Sequence, residues 1–435
     1  MNLKPYPKYK DSGVEWIGEI PCEWNVHKFK IHFKYIKGKV PKNLRETPSG
    51  DSLPYLTMDY LRGRGSKVFY CDSEGGAVRV NDGDLLLLWD GSNAGEFLEG
   101  KDGYLSSTMV KLIVSEMDMR YSKYLCNAFE PLLRDLTTGM GIPHVKDNVL
   151  RNIRIPYPSL EEQRKIASFL DNKISKIDLT IEKYTRLIDL FQEKRKALIN
   201  LAVTKGLNPN MKMKDSGVDW IGEIPQTWEL RKISRSFDII GSGTTPKSQD
   251  GSYYNRGTIP WVITGDLNDS ILNETSKRIT KKALRDYSAL KIYKKNSLIV
   301  AMYGATIGKI SLLNIDACVN QACCVLSNSN ILDIKFVFYW FFSNRDNIIS
   351  LSDGGGQPNI SQHVIKNLRI QVPPLKEQKI IVSYLDQNSS KINLTTRKIQ
   401  KNVDLLKEYK KSLIYHLVTG KVDVEERVGK NVDLK

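Results

Sequence analysis

The sequence predicts an α+β protein: two globular mixed α/β domains separated by a pair of long antiparallel coiled-coil helices, the halves related by an internal pseudo-two-fold repeat. Three observations lead there. A segment near the start recurs almost unchanged in the middle of the chain. A second set of blocks recurs at a different offset. Each later block also opens a long run whose apolar residues keep a heptad spacing.

The first repeat is Lys10-Asp-Ser-Gly-Val-Glu-Trp-Ile-Gly-Glu-Ile-Pro21 against Lys214-Asp-Ser-Gly-Val-Asp-Trp-Ile-Gly-Glu-Ile-Pro225. Only Glu15 and Asp219 differ, and the charge is kept. Trp24 and Trp228 follow at the same distance. The second repeat sets Asn152-Ile-Arg-Ile-Pro-Tyr-Pro-Ser-Leu-Glu-Glu-Gln163 against Asn367-Leu-Arg-Ile-Gln-Val-Pro-Pro-Leu-Lys-Glu-Gln378. The same offset matches Leu170-Asp171 to Leu385-Asp386, Val203-Thr204 to Val418-Thr419, and Gly139–Pro143 to Gly354–Pro358. Between these blocks the halves diverge, roughly over 26–138 and 230–353. The sparse anchors there include Pro54-Tyr55-Leu56 against Pro260-Trp261-Val262, and Gly91–Gly95 against Gly304–Gly308. Near-identity beside strong divergence points to one frame presenting two different inserts.

The expected boundaries are 1–157 for the first mixed domain, 158–206 for the first long helix, 207–372 for the second domain, 373–421 for the second helix and 422–435 for a tail. Pro158 and Pro374 stand where helices can begin, and Ser159 can cap the first. One seam runs through Ala167, Leu170, Ile174, Ile177, Ile181, Tyr184, Ile188, Phe191, Leu198 and Ala202. The other runs through Val382, Leu385, Ile392, Ile399, Val403, Leu406, Leu413 and Leu417. Arg195 and Lys410, equivalent positions, interrupt the seams, and Gly206 and Gly420 mark the stops. About 44 residues make each helix roughly 65 Å long. The stripe is wide enough for one partner helix, so the two are expected to pack on each other; pairing with another protein is the alternative. In the inserts, strands are expected at Leu85–Trp89, Met109–Val114, Ser297–Met302 and Ala322–Leu326, and short helices at Arg120–Phe129 and Ile334–Phe342.

The chain has 65 Lys+Arg against 49 Asp+Glu, a net charge of +16, which favours a polyanionic partner, nucleic acid first. Met1–Pro5 lacks the apolar core of a signal peptide, and the longest apolar runs are too short for a membrane span. The six cysteines form no Cys-x-x-Cys pair and read as reduced, mostly buried thiols of a cytoplasmic protein.

Two variable regions, each preceded by Asp-Ser-Gly-Val-x-Trp-Ile-Gly-x-Ile-Pro and followed by Pro-x-Leu-x-Glu-Gln and a heptad helix ending near Val-Thr, resemble the specificity subunit of Type I restriction–modification systems. The resemblance covers nearly the whole chain and keeps the order of its parts. It implies two target-recognition domains, each reading one half of a bipartite DNA site, with the helices as a ruler. It also implies two methyltransferase subunits using S-adenosylmethionine, and restriction subunits driven by ATP with Mg²⁺. This chain is expected to hold no cofactor and no metal.

Catalytic signatures are missing from the sequence. The one Pro-Pro, in Val372-Pro-Pro-Leu375, lacks the acid and the aromatic of an amino-methyltransferase loop. Gly304-Ala-Thr-Ile-Gly308-Lys309 is one residue short of a phosphate loop and reads as a turn between strands. Gly241-x-Gly243 lacks the third glycine of a dinucleotide fingerprint. The five histidines show no metal-ligand spacing. The alternative reading is a single-chain DNA-modifying or DNA-cleaving enzyme with its own recognition module; a coiled-coil adaptor with no DNA role is a third.

DNA contact requires Lys and Arg for phosphates, and Asn, Gln, Arg, Ser or Thr for base edges. In the first domain the candidates are Lys37, Lys39 and Lys42; Arg62, Arg64 and Lys67; Ser92 and Asn93; Ser107 and Thr108; His144 and Lys146. In the second they are Thr244, Thr245 and Lys247; Thr264; Tyr303 and Thr306; Asn320 and Gln321; Gln357, Asn359, Ser361 and Gln362. Several fall at matched places in the two halves. The paired tryptophans Trp16/Trp220 and Trp24/Trp228 are assigned to packing.

Overall fold

A computed structural model describes residues 4–64, 67–73, 76–137, 143–352 and 359–424. The chain forms two compact units. Unit 1 takes the residues up to Tyr184 together with those from Lys401 on, and unit 2 takes Thr185–Gln400. The long helices are Leu160–Lys205 and Leu375–Val418, and each contributes one half to each unit.

Each unit builds its main sheet around a strand with no polar face. In unit 1 the antiparallel order is Phe33–Lys37, Met109–Val114, Leu85–Leu88 and Phe97–Glu99. Leu85 and Leu87 join the core that holds helix Met119–Asp135 and the long-helix ends, while Leu86 and Leu88 join a separate core on the opposite face. In unit 2 the order is Ile239–Gly241, Cys323–Ser327, Leu298–Ala301, Ile310–Leu313 and Ser270–Leu272, the last strand parallel to its neighbour. Leu298 and Val300 face one core, Ile299 and Ala301 another. Burial on both faces is why these strands read as unbroken apolar runs. A smaller sheet lies beyond each: Leu53–Leu56 parallel to Gly103–Leu105 in unit 1, and Ile259–Val262 parallel to Cys318–Val319 in unit 2.

The near-identical Lys10–Pro21 and Lys214–Pro225 segments are two copies of one hairpin, Tyr9–Asp11 with Glu19–Pro21 and Met213–Asp215 with Glu223–Pro225. Asp11 Oδ1 accepts from the Gly13 N–H at 2.9 Å, and Asp215 Oδ1 from that of Gly217 at 2.9 Å. Gly13 and Gly217 have φ of +66° and +69°, which favours glycine. The tryptophans that follow are packing residues, as expected: Trp24 is 3% exposed and Trp228 fully buried. Trp24 lies beside Gly420 in unit 1, and Trp228 beside Gly206 in unit 2. Each hairpin is therefore closed by the terminus of a long helix.

The helices run antiparallel within unit 1. Tyr6 bonds Glu162 and Tyr9 bonds the Lys421 carbonyl at one end, and sixteen residues along the first helix Asp178 meets Lys410 at 2.7 Å. Lys410 thus has a reason to break the seam: it pairs with a carboxylate of the facing helix. Arg195 places its guanidinium 5.3 Å from the Phe342 ring centroid. The buried stripe is wider at the ends than the heptad seam, because Ile166, Phe169, Ile414 and Val418 also enter the unit 1 core, and Ile199, Val203 and Ile381 that of unit 2. The Ser159 hydroxyl accepts the Glu162 N–H at 3.2 Å, and Gly206 and Gly420 have φ of +76° and +72°.

Both short helices are longer than the sequence predicts, the first at both ends and the second by one residue at its C-terminus. Met119–Asp135 begins a residue early, capped by the Asp118 side chain on the N–H groups of Arg120 and Tyr121, and it continues past Pro131, an interior proline that gives up one backbone hydrogen bond of the helix. Ile334–Ser343 has the same cap from Asp333. Five cysteines are buried and Cys22 is exposed. Among the described residues no helix is long and apolar enough to cross a membrane.

Candidate nucleic-acid interface

Four loops converge at one edge of the main sheet in unit 1. Lys37 ends the first strand, exposed. Gly38 follows, its N–H donated to the Met109 carbonyl at 2.9 Å. A Cβ on Gly38 would lie 2.0 Å from the Ser106 carbonyl oxygen, so only glycine lets the Lys37–Lys42 loop pass the Ser106–Thr108 loop. Asp90, just after the central strand, donates its N–H to the Thr108 carbonyl at 3.1 Å and forms an antiparallel bridge with His144. The Gly91 N–H reaches Pro143 O at 3.0 Å, and the Val145 N–H reaches Trp89 O at 2.9 Å. Across the junction the Lys37 ammonium meets Asp90 Oδ2 at 3.0 Å, and Ser106 Oγ lies 3.0 Å from Thr108 Oγ1.

Unit 2 repeats this junction with other residues. A Cβ on Gly243 would lie 1.7 Å from the Val319 carbonyl oxygen, the counterpart of Gly38 against Ser106, and the Gly243 N–H reaches Asn320 O at 3.3 Å. Tyr303 bridges to Asn359 where unit 1 bridges Asp90 to His144. The Met302 N–H reaches Ala322 O at 2.8 Å, and the Ile360 N–H reaches Met302 O at 2.7 Å. Thr245 donates its hydroxyl to Gln321 Oε1 at 2.5 Å, and Asn320 Oδ1 accepts from the Ala322 N–H at 3.1 Å. Burial raises the Tyr303 hydroxyl pKa above the ordinary phenol range, which keeps it a proton donor at neutral pH.

The structure thus brings together Lys37, Ser107, Thr108, His144 and Lys146 in unit 1, and Thr244, Thr245, Tyr303, Asn320, Gln321 and Asn359 in unit 2. Lys39 and Lys42 lie exposed on the same loop as Lys37. Other candidates stand apart or have local partners. Arg62 is paired with Glu96, Lys67 with Glu46, and Asn93 Oδ1 accepts from Arg134 at 3.1 Å. Arg64 is exposed after helix Met58–Leu61, and Ser92 is exposed in the turn after Asp90. Thr264 opens a short helical turn two residues after Val262, whose carbonyl takes the Asn320 N–H. Thr306 sits in the hairpin turn before Lys309. The Lys247 N–H bonds the Tyr287 hydroxyl at 3.0 Å. Ser361 caps helix Gln362–Asn367 through the Val364 N–H. Gln357 and the Gly139–Pro143 and Gly354–Pro358 repeats fall wholly or largely outside the described residues.

Sequence reasoning placed Asp90 at the head of the Asp90–Asn93 contact turn but gave its side chain no role in the junction. Its signal was the match of Asp90-Gly91 to Tyr303-Gly304 at the end of the central strands. It also missed the duplicated glutamine that ties each long helix to its domain. Gln163 takes the Asp118 N–H at 2.9 Å and donates to Pro158 O at 2.9 Å; Gln378 takes the Asp333 N–H at 2.7 Å and donates to Pro373 O at 2.7 Å. Both glutamines are fully buried. Burial pushes the Cys323 and Cys324 thiols up to about 12, so neither is a ready nucleophile.

The model of the Type I restriction modification DNA specificity domain matches the chain twice, at residues 21–188 and 225–403. The chain belongs to that family. This specificity protein is 32% identical to the MjaVIII specificity subunit of Methanocaldococcus jannaschii, over 93% of this chain and 94% of the relative. It is 25% identical to the MjaIX specificity subunit of the same organism, over 94% and 96%. In fold it is similar to a chain solved in work on complex assembly and conformational transition of the type I R-M system, with TM-score 0.69, 18% identity, and 92% and 98% covered. The HsdS subunit from Thermoanaerobacter tengcongensis matches with TM-score 0.50, 18% identity, and the same coverage. The two family matches begin at the last residue of each hairpin and end within the long helices, so each takes in one loop junction.

Proposed function

We propose that this specificity subunit recognises an asymmetric, bipartite DNA target, each unit reading one half, for a Type I restriction–modification complex. The observation that carries this is the matched junction: the same four loops meet in both units, yet their side chains differ. Divergent residues on a shared geometry suit two readers of different sequences. Exposed Lys and small polar groups suit a phosphate and base-edge surface, and the net charge of +16 suits the polyanion.

The chain is proposed to be non-catalytic and cytoplasmic. Methyl transfer from S-adenosylmethionine belongs in this reading to two methyltransferase subunits, and ATP- and Mg²⁺-dependent translocation and cleavage to restriction subunits. The long helices offer a place for two equal partners. Unit 1 exposes Leu179 and Leu405, at 49% and 51%, and unit 2 exposes Leu190 and Leu394, at 44% and 57%. Leu179 matches Leu394, and Leu190 matches Leu405, under the same offset as the helix repeat. Exposed leucines recurring in this way support two copies of one apolar partner surface.

The test is a methylome. The region 26–150 is replaced by that of a related subunit, and the complex with its methyltransferase is expressed in a host lacking other modification. One half-site of the methylated motif should change and the other should persist. A change in both halves, or in neither, refutes the two-reader assignment. Methyl transfer by the isolated chain refutes the non-catalytic one.

A further inference from the structure

The two junctions differ most at their centre, where unit 1 places a carboxylate, Asp90, and unit 2 places Tyr303. The loops that meet Asp90 carry Lys37, Lys39, Lys42, His144 and Lys146. A carboxylate on a face that meets DNA is repelled by the phosphates. The DNA backbone presents only acceptors and cannot offset that repulsion. Donors do exist in the major groove, as the exocyclic amines of cytosine N4 and adenine N6.

Asp90 is held for such a contact. Its backbone is fixed on two sides, by the N–H bond to Thr108 O at 3.1 Å and by the bridge to His144. Lys37 Nζ holds Oδ2 at 3.0 Å, and the Asp90 side chain keeps 36% of its surface exposed. Among the described residues, Oδ1 accepts no hydrogen bond. An oriented acceptor with one open oxygen is thus presented beside the lysines that would hold the phosphates.

We propose that Asp90 is a specificity-determining residue of the unit 1 reader, accepting through Oδ1 a hydrogen bond from an exocyclic base amine, cytosine N4 or adenine N6, with Lys37 as its positioning residue. The inference rests on the DNA-reading role proposed above. A carboxylate accepts only, so it disfavours guanine O6 and thymine O4, which are acceptors at the same edge. Tyr303, with a hydroxyl to donate, favours such an acceptor at the matched place in unit 2. One loop geometry therefore selects opposite hydrogen-bonding groups, an amine donor and a carbonyl acceptor, in the two half-sites.

The experiment uses the full complex with its methyltransferase subunits and a library of DNA duplexes randomised across the target, with methylated duplexes read by sequencing. Asp90→Asn, whose amide both donates and accepts, is expected to admit guanine or thymine at one position of one half-site and to leave the other half-site unchanged. Lys37→Met is expected to relax the same position. Asp90→Ala is expected to lower affinity for the wild-type duplex about 10-fold, with the thermal unfolding midpoint retained. An unchanged motif for Asp90→Asn overturns the proposal. So does tighter, more salt-dependent binding by Asp90→Ala with the motif intact, since Asp90 would then only restrain its lysines. Failure of the underlying reading looks different: Lys39→Ala with Lys146→Ala would leave both affinity and its salt dependence unchanged.

Discussion

Asp386, on the second long helix, accepts the hydroxyl of Tyr339 at 2.6 Å and the ammonium of Lys335 at 2.8 Å. Asp171, its repeat equivalent, accepts from Tyr124 at 2.7 Å and Arg120 at 3.0 Å. The Leu-Asp pair of the repeat therefore anchors each domain helix to a long helix, with the leucine in the core and the aspartate one residue on as acceptor. Burial comes first, and the bond to the aspartate adds to it, in raising Tyr339 well above the usual phenol range. Tyr339→Phe should cost about 1.5 kcal/mol, the low end for a hydrogen bond to a charged group, because the Asp386 carboxylate is partly exposed. The Asp386→Ala, Tyr339→Phe cycle should show coupling in chemical denaturation; additive losses would mean the bond contributes nothing.

Gly206 and Gly420 end the long helices at positive φ against tryptophans, and the contacts differ in tightness. A Cβ on Gly206 would meet the Trp228 ring at 3.3 Å, whereas one on Gly420 would lie 2.4 Å from Pro21 Cδ and 3.0 Å from Trp24. Gly206→Ala is expected to lose about 1 kcal/mol, mostly from the left-handed backbone. Gly420→Ala adds overpacking and should lose about 2–4 kcal/mol. Equal unfolding midpoints for the two variants would contradict this ordering.

His32 is 1% exposed, stacked 4.4 Å from Tyr157 and hydrogen-bonded to His27 at 2.8 Å. Burial lowers its pKa below the ordinary value of 6.5, with His27 adding to the effect and the Ser115 carbonyl opposing it. The unfolded chain then takes up a proton below pH 6.5 that the folded chain still refuses. Stability is fully present above pH 6.5 and is lost as pH falls toward the folded pKa. His32→Gln should flatten the decline in urea midpoint between pH 7.5 and 5.5; an identical slope would exclude His32 as its source.

Seven residues inserted after both Ile188 and Val403 preserve the heptad seam and add about 10 Å to each helix. The unspecified spacer of the DNA target, expected at roughly 5–8 base pairs, should grow by roughly 3 base pairs, at about 34 Å per helical turn of 10. Both half-sites should keep their sequence. A methylome with the original spacer would show that the helices do not set it.

Leu179→Glu with Leu394→Glu places charge on the matched exposed face and leaves the buried seam untouched. The isolated chain should keep its unfolding midpoint, within about 0.5 kcal/mol, as surface changes usually do. Co-purification of methyltransferase subunits should fall sharply. Retained assembly would assign the exposed leucines no docking role.

By itself the sequence determined the frame. Two near-identical hairpin segments, two heptad runs with glycine stops, and strands apolar at every position are local patterns, each dictated by backbone conformation or burial period, so they are legible without coordinates. Ser159 as a cap and Trp24 and Trp228 as packing residues follow from the same rules. The tertiary structure decided what those patterns meet. Lys410 reads as a flaw in a seam until Asp178 lies opposite it. Gln163 and Gln378 read as ordinary helix-start polars until each is buried on a domain backbone. Asp90, Thr108 and His144 are far apart in sequence, and only strand pairing carries them to one junction. Which sheet edge collects which loops depends on long-range pairing, and a one-residue change of register would turn the side chains to the opposite face.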